Sequence, residues 1–388
     1  RGGTPVRWDE LIHETKRRMA DEGLSAEIHR LVRELPEDFP HGAETSYDGL
    51  AEIAANFPVY RTYLPEGAEH LREAVAAARE RRADLDGVLT DLARVLGADA
   101  TREADLAEVA RRFQQTSGMI MAKGVEDTAF YRWTQLTSLT EVGGDPSIFS
   151  LTPEQFHTEA ARRQRESPAT MNALTTHDTK RSAAVRARIT VLSELPRVWA
   201  ETVSTLVGRA EDAGISLTDG PAVNLVLQAV VGAWPLERDR AVDYAMKAVR
   251  EASVSTAWVD GDEDFERELT RFIDFLFTNP RARGVVEGCV ARVSEPGWAN
   301  ALAATPDGYQ EARIALGRLA DRNPGDRRLQ LSYAQMLTWR EPSRDEGIRR
   351  LRQLAQTPEM AQAAGNAWRD ALLWRCLLYT SPSPRDAT

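Results

Sequence analysis

Cysteine is almost absent from this sequence. Its 388 residues include two cysteines, Cys289 and Cys376, which do not form a CxxC pair. A disulfide framework needs several cysteines, and most structural zinc sites use closely spaced ones. The sequence therefore argues against a disulfide-stapled scaffold. It also predicts no metal site, and a reducing compartment such as the cytoplasm.

Long apolar runs and excess positive charge are also lacking. No run reaches the ~20 residues that a membrane-spanning helix needs. The formal net charge of −10 argues against nucleic acid or an anionic membrane surface as a partner, whereas neutral glucans remain compatible. No signal peptide is visible. The chain opens with Arg1 rather than Met, so we expect it to begin inside a longer protein.

Helical periodicity covers most of the sequence. Apolar residues recur at helical spacing through residues 7–35, 66–113 and 198–280, which predicts amphipathic helices. Residues 152–155 (Thr-Pro-Glu-Gln) form a capping box with proline at the first helical position, and predict a helix to about Glu166. A hydrophobic content of 42% and a charged content of 28% are typical of a globular protein.

One short stretch concentrates polar groups. Residues 171–177 read as a buried strand, with His177, Asp178, Lys180 and Arg181 at its end. In a (β/α)8 barrel, catalytic residues sit at the C-terminal ends of the strands. An aspartate there can hold negative charge against a cationic transition state, with the histidine as a hydrogen-bond donor. The alternative is that Asp178 caps the following helix, since aspartate is a common N-cap residue.

A second polar group lies in residues 119–133 and contains Lys123, Glu126, Asp127 and Tyr131. Lys123 is followed by a glycine, whose permissive backbone allows a close approach to a sugar hydroxyl. The two carboxylates can form part of a polar lining. The alternative is that Lys123 pairs with one of these carboxylates for structural reasons.

The composition changes after about residue 305. Residues 306–370 are rich in Arg, Leu, Ala and Gln, and Pro324 and Pro358 are separated by 358 − 324 = 34 positions, the tetratricopeptide period. Residues 343–346 (Ser-Arg-Asp-Glu) predict a capping box for the second helix of a pair. The tail from Cys376 contains Ser-Pro-Ser-Pro without apolar anchors and is expected to be disordered.

Several runs of residues resemble known sequences. The first are 112–118 (Arg-Phe-Gln-Gln-Thr-Ser-Gly), 121–132 (Met-Ala-Lys-Gly-Val-Glu-Asp-Thr-Ala-Phe-Tyr-Arg) and 176–182 (Thr-His-Asp-Thr-Lys-Arg-Ser). In this order they resemble the maltooligosyl trehalose synthases of the α-amylase family, over about residues 1–302. Residues 306–370 resemble tetratricopeptide repeats of a cellulose-synthase accessory subunit, and 376–386 resembles a translated sequencing adaptor.

The first resemblance implies a reaction and a set of site residues. These synthases convert the reducing-end α-1,4 linkage of a maltooligosaccharide into an α,α-1,1 linkage by intramolecular transglycosylation, with no metal or organic cofactor. Asp178 matches the carboxylate that stabilises the transition state. The implied substrate-binding residues are His177, Lys123, Lys180, Arg181, Glu126 and Tyr131.

The same resemblance implies an incomplete catalytic set. Retaining glycosidases need a nucleophile and an acid/base carboxylate, and the family's blocks for both are absent from residues 1–111. We therefore expect a fragment that is inactive alone. One alternative is another α-amylase-family glucan hydrolase, which the 121–132 block disfavours because general amylases lack it. The other is a tetratricopeptide module that binds a protein partner through residues 306–370, although fewer than three repeats are present.

The predicted fold is mainly α with few β-strands. It comprises a partial (β/α)8 barrel fragment with large helical insertions, followed by tetratricopeptide-like helix pairs. The expected partner is a maltooligosaccharide or another α-1,4-glucan, with no nucleic acid and no membrane. The predicted divisions are a helical insertion (1–113), a barrel part with the His-Asp strand (114–195), a helical subdomain (196–302), tetratricopeptide-like helices (303–375) and a disordered tail (376–388).

Overall fold

Regular structure in this protein is almost entirely helical. The computed structural model describes residues 7–97, 104–171, 173–303, 313–314, 316–318, 320–338 and 343–380. Within these ranges, β-structure is limited to an isolated antiparallel bridge between Tyr63 and Glu66. The prediction of a mainly α fold is confirmed.

The helices follow one another with mostly short connections. The α-helices are α1 (Trp8–Arg18), α2 (Ser25–Arg33), α3 (Ala43–Asn56), α4 (Ala68–Arg81), α5 (Asp86–Leu96), α6 (Ala104–Met121), α7 (Phe130–Arg132), α8 (Pro153–Glu166), α9 (Ala183–Thr190), α10 (Pro196–Asp212), α11 (Gly220–Ala233), α12 (Arg238–Ala252), α13 (Glu263–Thr278), α14 (Pro280–Ala303), α15 (Arg327–Leu337), α16 (Arg344–Leu354) and α17 (Ala361–Thr380). Met19–Gly23 and Ala122–Ala129 are π-helical, and Ala83–Leu85 and Val191–Glu194 are 3-10 helices.

The chain forms two compact units, and each is described by itself. The first comprises residues 1–147, 203–230 and 234–285, and the second comprises residues 148–202, 231–233 and 286–388. Among the described helices, none is both long and apolar enough to cross a bilayer. The five-part division made from the sequence stays a prediction.

Helix α3 lies at the centre of the core of the first unit. It contacts α1, α2, α4, α5 and α6. Its residues Leu50 and Ile53 are fully buried and belong to one apolar cluster with Leu89, Leu92 and Phe113. Burying an aliphatic or aromatic side chain of this size contributes ~1.5–3 kcal/mol. This cluster therefore holds the N-terminal helices together and supports the segments that follow α3 and α6.

Polar side chains just before the helices set several helix starts. The Gln155 amide donates to the Thr152 hydroxyl at 3.2 Å, and the Thr152 amide donates to the Gln155 side chain at 2.8 Å. These bonds confirm the predicted capping box of α8. Asp219 and Asp262 cap α11 and α13. Ser343 precedes α16, but its hydroxyl donates to a carbonyl of α15 instead of capping, so the second predicted capping box is wrong.

The last three α-helices pack on one another in the second unit. Helix α16 contacts both α15 and α17, around an apolar cluster of Ala334, Ile348, Leu351 and Ala371. Helix α17 continues through Thr380, so residues 376–380 are helical, contrary to the predicted disorder. The rest of the tail and residues 304–312, where the composition changes, lie outside the described residues.

The strand predicted over residues 171–177 is not formed. The described residues of this stretch are irregular and exposed, and Met171 is 95% exposed. A parallel strand exists only when neighbouring strands satisfy its backbone hydrogen bonds. The described part of the chain contains no strand to pair with it. The apolar run therefore stays in a solvent-facing segment.

Candidate functional site

His177 and Asp178 lie on a tight turn in the second unit. The Thr179 hydroxyl donates to the Thr176 carbonyl at 2.9 Å, and the Asp178 amide donates to the Thr176 hydroxyl at 3.3 Å. The side chains of His177 and Asp178 are exposed. Threonine hydroxyls thus fix the backbone of the turn by local bonds and leave the imidazole and the carboxylate accessible.

Asp178 does not cap α9. The N-cap is Ser182, whose hydroxyl accepts a hydrogen bond from the Val185 amide at 3.3 Å. The Ala183 amide donates to the Thr175 hydroxyl at 3.2 Å. Other side chains therefore satisfy the start of this helix, and the capping alternative for Asp178 is wrong.

Lys180 and Arg181 follow on the same segment and are less accessible. Lys180 is half-buried, and Arg181 is only 7% exposed. Its guanidinium is therefore less accessible to a ligand than the exposed side chains of the turn. His177 and Asp178 are the residues of this group that a ligand reaches without rearrangement.

The 121–132 motif forms a π-helix in the first unit. Ala122–Ala129 continues α6 and packs against α1. A methyl group on Gly124 would lie 2.8 Å from the Lys16 Cα and 3.0 Å from the Lys16 amide nitrogen. Glycine is needed there because the two backbones approach so closely. π-helical segments are rare and frequently occur at functional sites.

Lys123 forms the ion pair that the structural alternative predicted. Its ammonium lies 2.7 Å from an Asp127 carboxylate oxygen, and its side chain is 58% exposed. An exposed pair of this kind contributes little to stability, so it orients the lysine on the surface more than it holds the fold. A role for Lys123 towards substrate is compatible with this geometry and stays a prediction.

Glu126 is buried and bound to the segment that follows α3. The Tyr60 hydroxyl donates to its carboxylate, and the Ser117 hydroxyl donates to the Tyr60 carbonyl at 2.9 Å. The Leu64 amide also donates to the Gln114 side chain at 3.1 Å. Together these bonds fasten residues 60–64 to α6 and the π-helix. The Glu126 carboxylate therefore helps to hold residues 60–64 against the helices. The predicted contact of Glu126 with substrate stays a prediction.

Lys16 is a buried lysine that sequence reasoning missed. It lies on α1 against Gly124, and its ammonium donates to the Phe57 carbonyl at 2.6 Å. Burial lowers the pKa of Lys16 to about 7. In the sequence it stands in the charged run Glu14-Thr15-Lys16-Arg17-Arg18, which has the pattern of a solvated helix face. No local signal distinguishes it from its neighbours.

A cavity of about 250 Å³ opens among α1, α7, α11 and α12 in the first unit. Its walls are mostly apolar, and Tyr131, Arg132 and Asp219 are among the polar residues that line it. The Arg132 guanidinium donates to the Ala252 carbonyl at 2.7 Å and to Glu14 at 2.9 Å. Apolar walls with a few fixed polar groups are typical of small-molecule sites. The sequence named Tyr131 but gave no signal for Arg132 or Asp219.

Metal-binding side chains do not cluster. Across the part of the chain that the structure describes, no group of three His, Cys, Asp or Glu residues could hold an ion. Cys289 is buried, and burial raises the pKa of its thiol. A raised pKa disfavours the thiolate that nucleophilic and metal-binding cysteines use.

Replacing Gly124 with alanine is expected to destabilise the first unit by ~1–3 kcal/mol, the usual range for overpacking. The added methyl group would meet the backbone of α1, which cannot move aside as a flexible side chain can. The measurement is the urea midpoint followed by circular dichroism. Gly208→Ala on α10 is the control: nothing lies within 4 Å of that site, and a helical Gly→Ala change stabilises by ~0.5–1 kcal/mol. A Gly124→Ala midpoint equal to or above that of the original chain would contradict the close approach.

Comparison with known proteins bears on the identity of these residues. No protein-family model matches the chain. A Mycobacterium tuberculosis protein named as a maltooligosyl trehalose synthase is 38% identical over 237 residues, covering 57% of this chain and 30% of the relative. The predicted resemblance to maltooligosyl trehalose synthase is confirmed.

Solved structures named as maltooligosyl trehalose synthases agree with this result. That of Arthrobacter ramosus superposes with a TM-score of 0.70 at 39% identity, covering 91% of this chain and 47% of that chain. A hypothetical maltooligosyl trehalose synthase of Sulfolobus tokodaii superposes with a TM-score of 0.63 at 25% identity, covering 77% of this chain and 39% of that one. The chain thus spans less than half the length of these maltooligosyl trehalose synthases.

The predicted resemblance to a cellulose-synthase accessory subunit is confirmed for a short segment of the chain. Cellulose synthase operon protein C of Xanthomonas axonopodis is 47% identical over 73 residues, covering 19% of this chain and 5% of that protein. Similarity to maltooligosyl trehalose synthase and similarity to this operon protein therefore occur in one chain.

Proposed function

We propose that this chain is the part of a maltooligosyl trehalose synthase that grips the glucan and stabilises the transition state. The complete enzyme is an isomerase that moves the reducing-end glucose from an α-1,4 to an α,α-1,1 linkage by intramolecular transglycosylation. The observation that carries the proposal is the exposed His177–Asp178 pair on a backbone-fixed turn. The 38–39% identity to proteins named as maltooligosyl trehalose synthases supports it.

Asp178 is the proposed catalytic residue. Cleavage of a glycosidic bond passes through an oxocarbenium-like transition state that carries positive charge. A carboxylate held beside that charge lowers the barrier, and it does so best when its position is fixed before the reaction. The hydrogen-bonded turn supplies that fixed position, because the Asp178 amide is tied to Thr176. His177 donates a hydrogen bond to a sugar hydroxyl.

Retention of the freed glucose is the second requirement of the reaction. An intramolecular transfer succeeds only if the glucose stays bound and turns before water reaches the intermediate. The residues proposed to bind substrate are His177, Lys180 and Arg181 in the second unit and, as a separate group, Lys123, Glu126 and Tyr131 in the first unit.

The finer description of the fold is also a proposal. Residues up to about 302 belong to the large helical insertions and connecting segments of a (β/α)8 barrel, and the strands that would pair with residues 171–177 belong to the part of the synthase that this chain does not span. Helices α15 to α17 form tetratricopeptide-like pairs, supported by the 34-residue period and by the 73-residue similarity. A protein partner would bind through this segment.

The scarcity of cysteine favours a cytoplasmic location.

The chain alone is expected to bind maltopentaose without converting it. It has the residues proposed to grip the glucan but lacks the blocks that carry the nucleophile and the acid/base. Acid/base catalysis alone contributes roughly a hundred- to ten-thousand-fold. Binding is measured by saturation-transfer NMR, and trehalosyl products are measured by anion-exchange chromatography.

Cellopentaose is the matched control ligand, since it has the same length with β linkages. Saturation of maltopentaose but not of cellopentaose supports the assignment of an α-glucan substrate. Equal saturation of both ligands, or of neither, contradicts it. Trehalosyl product above the buffer blank contradicts the incomplete catalytic set.

A further inference from the structure

Residues 148–180 of the second unit have no core of their own. None of the described residues in this range is buried. Local bonds hold the segment instead: the capping box starts α8, and the Arg186 guanidinium of α9 donates to the Leu174 carbonyl. Helices and strands of a folded domain normally bury one side against another element. This segment therefore lacks the surface that it would pack against.

Large apolar side chains are exposed along the same segment. Their exposed fractions run from 49% to 95%, and they belong to Ile148, Phe149, Leu151, Phe156, Met171 and Leu174. Leu151 and Phe156 occupy the positions just before the N-cap and four after it, which lie on the same side of a helix start. Single exposed apolar residues are ordinary, whereas six in one uncovered segment indicate an interaction surface.

The apolar area of this segment has the size of a protein interface. Six side chains exposed to this degree offer roughly 600 Å², about 100 Å² from each. A standard protein interface buries ~800 Å² on each side, and a little more than half of that area is apolar. A small ligand would cover one or two of these side chains. The area therefore favours a macromolecular partner.

Residues 171–177 indicate what kind of partner this is. The run has the composition of a strand but forms none, because a strand needs neighbours for its backbone hydrogen bonds. A partner that supplies strands would satisfy this backbone and cover the apolar side chains together. A second copy would bring at most the same run, since the described part of this chain contains no strand.

The similar synthases are long enough to contain such a partner. The Arthrobacter ramosus synthase matches 91% of this chain, yet this chain spans only 47% of that protein. More than half of that synthase therefore lies outside the matched region. The proposed function assigns the missing strands, the nucleophile and the acid/base to it.

We propose that residues 148–177 are a docking surface for the strand-bearing part of a maltooligosyl trehalose synthase, supplied as a separate chain. The choice of partner rests on the proposed function. Docking pairs residues 171–177 with a neighbouring strand and covers the six apolar side chains. The partner contributes the two carboxylates that this chain lacks, so the site is incomplete without it.

The test is co-expression of the whole chain, carrying an affinity tag, with the part of the Arthrobacter ramosus synthase that it does not match. The two parts are expected to purify together. Met171→Asp is expected to lower the captured amount at least tenfold, because docking would bury an unpaired charge. Met171 is 95% exposed, so this change leaves the chain itself folded. Val259→Asp is the matched control, since Val259 is 76% exposed on a loop of the first unit.

Each outcome decides the proposal. Capture by the original chain and by Val259→Asp, but not by Met171→Asp, supports the docking surface. Absence of capture, or equal capture by Met171→Asp, overturns it. Self-association that Met171→Asp abolishes also overturns it, because the occupant would then be a second copy.

Trehalosyl-end formation by the captured complex judges the proposed function separately. A complex that forms but stays inactive contradicts that function and leaves the docking surface in place. If no complex forms, substitution of the aligned aspartate in the intact Arthrobacter ramosus synthase still tests the proposed function.

Discussion

Replacing Asp178 with asparagine is expected to remove trehalosyl transfer from a complete synthase while leaving its fold unchanged. The substitution is made at the aligned position of the Arthrobacter ramosus synthase, which this chain matches with a TM-score of 0.70. Asparagine keeps the shape of the side chain and removes its charge. Fixed electrostatic groups of this kind are worth roughly a hundred- to a thousand-fold in rate. The measurement is the rate of trehalosyl-end formation from maltopentaose.

The control is substitution of the aligned neighbour, Thr179→Ser, which keeps the hydroxyl that bonds the Thr176 carbonyl. It should retain most of the turnover, and circular dichroism should be the same for all variants. Near-normal turnover of the asparagine variant would remove Asp178 from the catalytic set. The capping alternative would not then return, because Ser182 caps α9.

The stability of the chain is expected to rise with pH above about 7 because of Lys16. Burial lowers the pKa of Lys16 to about 7 from 10.5. Between these values the unfolded chain binds one more proton than the folded chain, so stability increases by about 1.4 kcal/mol per pH unit. From pH 7 to pH 9 this amounts to roughly 2 kcal/mol, because the lysine is still half protonated in the fold at pH 7. Below pH 7 both states carry the proton, and this dependence disappears.

Lys16→Met tests this expectation, since methionine has a similar length and cannot titrate. Urea unfolding is measured at pH 6, 7, 8 and 9, and the difference between the original chain and the variant is plotted against pH. That difference should be flat below pH 7 and grow in favour of the original chain above it. Lys247→Met, which removes an exposed lysine, should follow the original chain. Parallel curves for Lys16→Met would mean that the ammonium remains charged in the fold.

Helices were predictable because their signals are local. The capping box of α8 and the core face of α13, with Leu269, Phe272 and Ile273 buried, follow from residues three or four positions apart. The strand over residues 171–177 was not predictable in the same way. A strand depends on partners elsewhere, and the described part of the chain provides none. The π-helix also escaped prediction, because the approach of Gly124 to α1 is a tertiary contact.

The candidate site was predictable to a different degree in each unit. The motif placed His177 and Asp178, and the structure shows both exposed on one turn. For Lys123 the sequence left two alternatives, and the structure shows the ion pair with Asp127. Lys16 could not be found, because its burial depends on contacts with residues distant in sequence. Burial and tertiary contacts of this kind cannot be read from the spacing of residues along the sequence.

Helix α8 has a consequence for how this protein can be reshaped. None of its 14 residues is buried, and Phe156 on it faces solvent. An isolated helix of this length is marginal in water. The capping box and the contacts of Arg162 with Glu159 and Glu166 therefore carry most of its order. Local opening of this helix is therefore expected to cost less free energy than opening of the α3 core. Amide hydrogen exchange should accordingly be faster in α8 than in α3.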